Sequence, residues 1–189
     1  VALLTAHWRE PTWALAPFRD EPHACALVTG GAGRWSYLLR QPDATFSLVA
    51  ADPADPFARL AELTGPRQPS DPDGPPFQGG VVGLASYELG DRVERLGLAR
   101  AAWPDLTCAR YPALLAFDHH ARRVVAVGRG ETDAEARARA VVLRTVVQQL
   151  VAERGHGGQA KPISAKRVCG GAAKPAARKG ANNSRPTPT

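Results

Sequence analysis

What can fold in this 189-residue chain is bounded by an abrupt change of composition near Gly157. All four lysines lie beyond it, whereas the body uses arginine exclusively. From Gly158 to Thr189 there are seven cations (Lys161, Lys166, Arg167, Lys174, Arg178, Lys179 and Arg185) and no acid, Leu, Phe, Trp or Tyr. Such a stretch cannot bury enough surface to offset the entropy of ordering it. Residues 158–189 are therefore expected to be a disordered basic tail, and residues 1–157 one folded domain.

The same break relocates the charge. The pI of about 9.7 points to nucleic acid until the cations are placed. Residues 1–157 hold 17 cations against all 18 acids, so the basicity belongs to the tail and nucleic acid is not the expected partner of the body. Two readings of the tail follow: a native arm that reaches polyanions, or a shifted reading frame that truncates a longer protein. The abrupt change in residue usage favours the second, and the absence of Met with Val1 at the start fits a GTG codon.

No run approaches the roughly 18–20 apolar residues of a membrane helix, and VALLTAHWREP turns polar too early for a signal segment. Cys25, Cys108 and Cys169 stand far apart, without the pairing of a disulfide framework or zinc site. A cytoplasmic location is expected.

Within the body, residues 24–30, 34–40 and 45–51 read as strands, with Gly30-Gly31-Ala32-Gly33 as a turn. Asp55-Pro56 opens a helix with Phe57, Leu60 and Ala61 on its inner face. Residues 106–118 and 122–128 read as a hairpin closed at Asp118–Ala121. Thr132 and Glu135 form a capping box for a helix over about 132–153, with Ala138, Val142, Thr145, Val146, Gln149 and Leu150 at near-helical spacing. Strands without regular βαβ alternation give α+β with a mainly antiparallel sheet.

Residue types alone point to no chemistry. TGGAG (29–33) matches no phosphate loop and precedes a strand, so it reads as a turn. Ser36, Ser47 and Ser86 lack a nucleophile motif or an assignable base. Glu88, Asp91 and Glu94 read as caps and surface charges, His119 and His120 as exposed turn residues, and Cys25 as a buried thiol. No catalytic or metal-binding residue is assigned. The least ordinary segment is PPFQGGVVGLASYELGDRVERL, whose Gly79, Gly80 and Gly83 interrupt an apolar run and imply close backbone packing or ligand approach.

That segment, Pro76-Phe77-Gln78-Gly79-Gly80 with Gly83-Leu84, Tyr87-Glu88-Leu89-Gly90, Arg92 and Glu94, resembles the N-terminal domain of aminodeoxychorismate synthase component I. Anthranilate synthase component I has a looser version. Gly33-Arg34-Trp35-Ser36-Tyr37, Trp103-Pro104-Asp105, Tyr111-Pro112-Ala113 and Phe117-Asp118-His119 follow in the family's order, and the resemblance spans roughly residues 5–153. It implies a β-sandwich with flanking helices. It also implies a component that aminates chorismate with ammonia from a glutamine amidotransferase subunit, leading to 4-aminobenzoate and folate. Chorismate and Mg2+ would bind only in a second, catalytic half with no counterpart here, so the chain alone is expected to be inactive. The family's tryptophan pocket maps onto Thr29, Trp35, Ser36, Tyr37 and Leu38, with Val28-Thr29 standing where anthranilate synthases have Glu-Ser. The bland alternative makes Trp35 and Tyr37 core aromatics on opposite strand faces. Other readings are an anthranilate synthase component I fragment and a non-catalytic binding module with a polyanion-binding tail.

Overall fold

The computed structural model describes residues 1–30, 32–49, 51–99 and 102–152. The expected tail, 158–189, lies outside the described residues. Eight strands form two sheets: β1 (Ala2–His7), β2 (Cys25–Leu27), β3 (Trp35–Leu39), β4 (Ala44–Leu48), β5 (Gly80–Ala85), β6 (Leu106–Tyr111), β7 (Ala113–Asp118) and β8 (Arg123–Gly128). The larger sheet runs β1-β8-β7-β3-β2 and the smaller β4-β6-β5. Among the described residues every strand pairing is antiparallel, so the α+β expectation holds.

Residues 106–118 form two strands in different sheets, where one was expected. Pro112 cannot donate to a ladder, and the chain passes there from β6 into β7. The β7–β8 hairpin is as expected. β1 had no counterpart in the sequence reading, yet it pairs along β8 from Ala2↔Gly128 to His7↔Arg123.

The apolar runs LLAF and VVAV lack alternation because both faces of β7 and β8 are covered. Leu115, Phe117, Val124 and Ala126 face one cluster with Leu143 and Val147, from helix α3 (Asp133–Ala152), and Ala14, from helix α1 (Pro11–Leu15). Leu114, Ala116, Val125 and Val127 face a second cluster with Leu39 and with Ala109 and Tyr111 of the smaller sheet. A third cluster, Leu48, Leu106 and Cys108, is covered by Leu60 and Leu63 of helix α2 (Pro56–Thr64).

Both longer helices start as expected. The Asp55 carboxylate accepts from the Phe57 and Ala58 amides, and Thr132 Oγ1 accepts the Glu135 N–H at 3.2 Å. Their inner faces need correction. Phe57 and Ala61 are exposed, and Leu60 with Leu63 turns inward. On α3, Ala138, Val142, Thr145 and Gln149 face outward, Val146 is half-buried, and Ala136, Ala140, Leu143 and Val147 are buried; the Leu150 side chain lies outside the described residues. The reason is close approach. A Cβ at Gly128 would overlap the Ala136 carbonyl and sit 2.6 Å from the Ala140 amide. The helix thus meets β8 through glycine and alanines, which a search for large apolar residues overlooks.

Candidate functional site

The chemistry-bearing side chains gather where the Thr29–Arg34 turn meets the β7–β8 hairpin. Ser36 lies on the α3-facing side of β3 and is fully buried. Its Oγ accepts the Thr29 N–H at 3.0 Å and lies 2.8 Å from His119 Nε2. The hydroxyl, with one donor and two lone pairs, can accept from Thr29 and still exchange a hydrogen bond with Nε2. The His119 ring is half-buried, edge-on to Trp8 with centroids 5.1 Å apart, and the Arg122 guanidinium sits 4.2 Å over the other ring system. The His119 backbone N–H donates to the Arg34 carbonyl at 2.9 Å.

Beside it, Asp118 is fully buried and receives two hydrogen bonds from Arg34, at 3.0 and 2.8 Å, and one from the Ala121 amide. The Arg34 bonds are the main reason its carboxyl ionises well below the usual carboxylate range. The same contact raises Arg34, which also lies 5.0 Å over the Trp35 ring. A Cβ at Gly33 would overlap Thr29 Oγ1, so any larger residue there would force the Thr29 side chain to move.

A serine oxygen within hydrogen-bond reach of an imidazole is the arrangement of a nucleophile and its base. Here Ser36 exposes no surface, so no substrate atom can approach Oγ; the pair positions β3 against the hairpin. His119 is thus a correction to the sequence reading, which took it for an exposed turn residue; His120 is exposed as expected. The missed signal was long-range: Ser36 lies opposite Phe117 in the β3–β7 register, two residues before His119.

The five residues aligned with a tryptophan pocket do not share one surface. Ser36 and Leu38 point towards the α3 side, where Leu38 is core. Trp35 and Tyr37 pack together on the other face, against the cluster shared with the smaller sheet, and not on opposite faces. Tyr37 meets Phe77 edge-on at 5.6 Å, accepts the Phe77 N–H at 3.4 Å, and has its phenol raised by burial. Thr29 is half-buried in the turn. None of the five lines the cleft of about 440 Å3 that opens beside Gly79 and Gly80.

Two of the remaining candidates, Ser47 and Asp91, have structural partners, and Ser86 Oγ is buried without one among the described residues. Ser47 and Thr107 hydroxyls meet across β4 and β6 at 3.1 Å, and Asp91 accepts the Leu96 and Leu98 amides. Cys25 is half-buried, not buried, and among the described residues no group of three His, Cys, Asp or Glu could hold a metal ion.

One more surface stands out. Arg92 donates to Asp105 at 3.1 Å and to the carbonyls of Val49, Asp52 and Ala54 at 2.9–3.2 Å. It thereby ties the end of β4, the turn of 3-10 helix at Tyr87–Arg92 and the approach to β6 into one body. That body carries Leu84, Tyr87, Val93, Leu96 and Trp103 exposed, Tyr87 by 80% and Leu84 by 59%. Among the described residues no helix is long and apolar enough to cross a membrane.

Comparison with known proteins assigns the fold's kinship. The chorismate binding enzyme family model matches residues 23–168. The chain is 36% identical over 103 residues to anthranilate synthase component 1 of Streptomyces coelicolor, covering 52% of this chain and 19% of that protein. It is 33% identical to anthranilate synthase component 1 of Thermus thermophilus (58% of this chain, 25% of that protein). To aminodeoxychorismate synthase component 1 of Klebsiella aerogenes it is 29% identical (65% of this chain, 32% of that protein). The chain therefore spans between a fifth and a third of the length of these relatives. The crystal structure of anthranilate synthase component I from Streptococcus pneumoniae superposes with a TM-score of 0.49 at 20% identity, over 79% of this chain and 37% of that one. With the family model matching well over half of its residues, the chain belongs to the chorismate binding enzyme family.

Proposed function

We propose that this chain is a non-catalytic, supporting domain of a component 1 synthase that aminates chorismate in concert with a glutamine amidotransferase subunit. The observation that carries this reading is the apolar face around Leu84, Tyr87, Val93, Leu96 and Trp103. Five large apolar side chains open to water along one part of the fold are an ordinary mark of a partner surface. The length that the relatives possess and this chain does not would supply that surface, and with it the chorismate site and Mg2+. The core cluster shared by the two sheets supports a β-sandwich as the scaffold.

The aminodeoxychorismate branch is supported by Tyr87-Glu88-Leu89-Gly90 and by Val28-Thr29 in place of Glu-Ser. The anthranilate branch is the second reading, favoured by the higher identities of two relatives that bear that name. An amino-acid site beside Thr29, with Trp35, Ser36, Tyr37 and Leu38 as its supporting strand and not all as its lining, is compatible with either branch. Titration with L-tryptophan tests it, and absence of saturable heat removes it.

The deciding experiment co-expresses this chain with the part of the Klebsiella aerogenes relative that lies beyond the matched region. Chorismate, ammonia and Mg2+ are supplied and products separated. The chain alone should leave chorismate intact, and the pair should convert it. Because the catalytic piece sets the product, the branch is read from partner preference: tighter association with this piece than with the corresponding piece of the Streptomyces coelicolor relative supports the first branch, and the reverse order the second. Conversion by the chain alone, or no association between the two pieces, overturns the proposal.

A further inference from the structure

The Arg-lined cleft near Gly79 plays no part in that reading and is built as a site of its own. Its floor is rigid. Gln78 is buried and holds the preceding loop from both ends of its amide: Nε2 donates to the Asp71 and Pro75 carbonyls at 2.6 and 3.0 Å, and Oε1 accepts the Asp71 N–H at 2.9 Å. Gly79 has φ of +111°, and a Cβ there would meet the Arg129 side chain and the Tyr111 carbonyl at 3.0 Å. Glycine at this point lets the Arg129 stem lie directly on the backbone.

Arg129 then reaches across the cleft. It donates to the Gln78 carbonyl at 2.6 Å, the Pro69 carbonyl at 3.0 Å and Gln68 Oε1 at 3.4 Å. All three acceptors are neutral, and among the described residues no carboxylate pairs with it. Burial lowers its pKa, so its charge is partly desolvated without a counterion. Arg67, next to Gln68 in the chain, lines the same cleft, is exposed and makes no ion pair. The other two arginines of the lining are engaged, Arg110 by Asp43 at 2.8 Å and Arg139 by Glu135 at 2.7 Å. Glu131 is the one lining carboxylate without a cation. The balance left for a visitor is thus two guanidinium groups against one carboxylate. Phe77, Pro66 and Pro76 add apolar wall, and about 440 Å3 is within the range of small-molecule sites.

We infer that this cleft binds a small organic carboxylate with an apolar, ring-sized body. The carboxylate lies against Arg129 and Arg67, and the ring rests on Phe77 and the prolines. Arg129 has Nε and Nη1 engaged and offers Nη2, while Arg67 offers its whole planar fork, so the two together can meet a carboxylate's two oxygens, and each charge-assisted bond is strongest where water is partly excluded.

Titration of the full chain, followed by calorimetry and by amide NMR shifts, tests this with benzoate, with its neutral counterpart benzamide and with inorganic phosphate. Benzoate should saturate, with shifts confined to the amides around 66–80 and 129–131, while benzamide and phosphate bind at least several-fold more weakly. Arg129→Gln should weaken benzoate roughly tenfold or more, since a charged donor is lost from a partly buried site. Arg67→Ala, at an exposed position that disturbs no contact, should weaken it about threefold. Glu131→Gln should tighten it about threefold, a gain that misfolding cannot imitate. Absence of saturable benzoate binding, equal binding of benzamide or phosphate, or affinity indifferent to all three substitutions overturns the inference.

Discussion

Ser36 and His119, 83 residues apart in the chain, hold β3 to the β7–β8 turn through one 2.8 Å contact between Oγ and Nε2. Because Ser36 Oγ also accepts the Thr29 amide, a single buried hydroxyl satisfies two groups at once. Ser36→Ala should therefore cost about 1–3 kcal/mol, the penalty of leaving buried polar groups without partners. His119→Phe, which keeps a ring against Trp8, should cost less. Urea unfolding of both variants checks the order, and equal losses would show that the Ser36–His119 hydrogen bond, which both variants lose, sets the cost and the unpaired Thr29 amide adds nothing.

Asp118 makes stability depend on acid. Its folded carboxyl ionises well below its unfolded value of about 4. The unfolded chain binds the proton first as pH falls, so the stability Asp118 contributes is complete above pH of about 4 and is lost as pH drops towards the folded value. Asp118→Asn should flatten unfolding free energy against pH in that window. Half-exposed Arg34 limits the loss at neutral pH to about 2 kcal/mol. A slope identical to that of the parent would refute the assignment.

Gly128→Ala should destabilise the chain by about 2–3 kcal/mol, because the new methyl meets backbone of α3 and not a side chain that can turn aside. Thermal unfolding reads the effect directly. A neutral substitution would mean that the helix can lift off β8 without loss.

The inner face of α3 is tested by a pair of changes. Val142 is 56% exposed and Val147 is buried. Val142→Glu should stay within about 0.5 kcal/mol of the parent, and Val147→Ala should cost roughly 2 kcal/mol. The reverse order would restore the face expected from spacing alone.

Local chemistry was legible in the sequence, and distant pairing was not. Asp55-Pro56 and Thr132 with Glu135 announce helix starts because a cap needs only residues two or three positions away. The faces of those helices depend on what they meet. Gly128 draws Ala136 and Ala140 inward, and Leu63 displaces Ala61. The Gly79-Gly80 segment was flagged by its backbone freedom, which the positive φ of Gly79 bears out. His119 was misjudged because its partner is fixed by sheet register, and β1 because its value to the fold appears only once β8 lies beside it. Arg129 carried no motif at all; its significance comes from the neutral acceptors around it.

Pro112 has a mechanical consequence. With one residue between Tyr111 and Ala113, the two sheets share a joint that has no slack. Slippage in one sheet is passed to the other through this joint and through the core they share. Lengthening the chain at this corner by a few residues should loosen the joint and lower the melting temperature, while the cluster of Leu39, Ala109 and Tyr111 still links the two sheets.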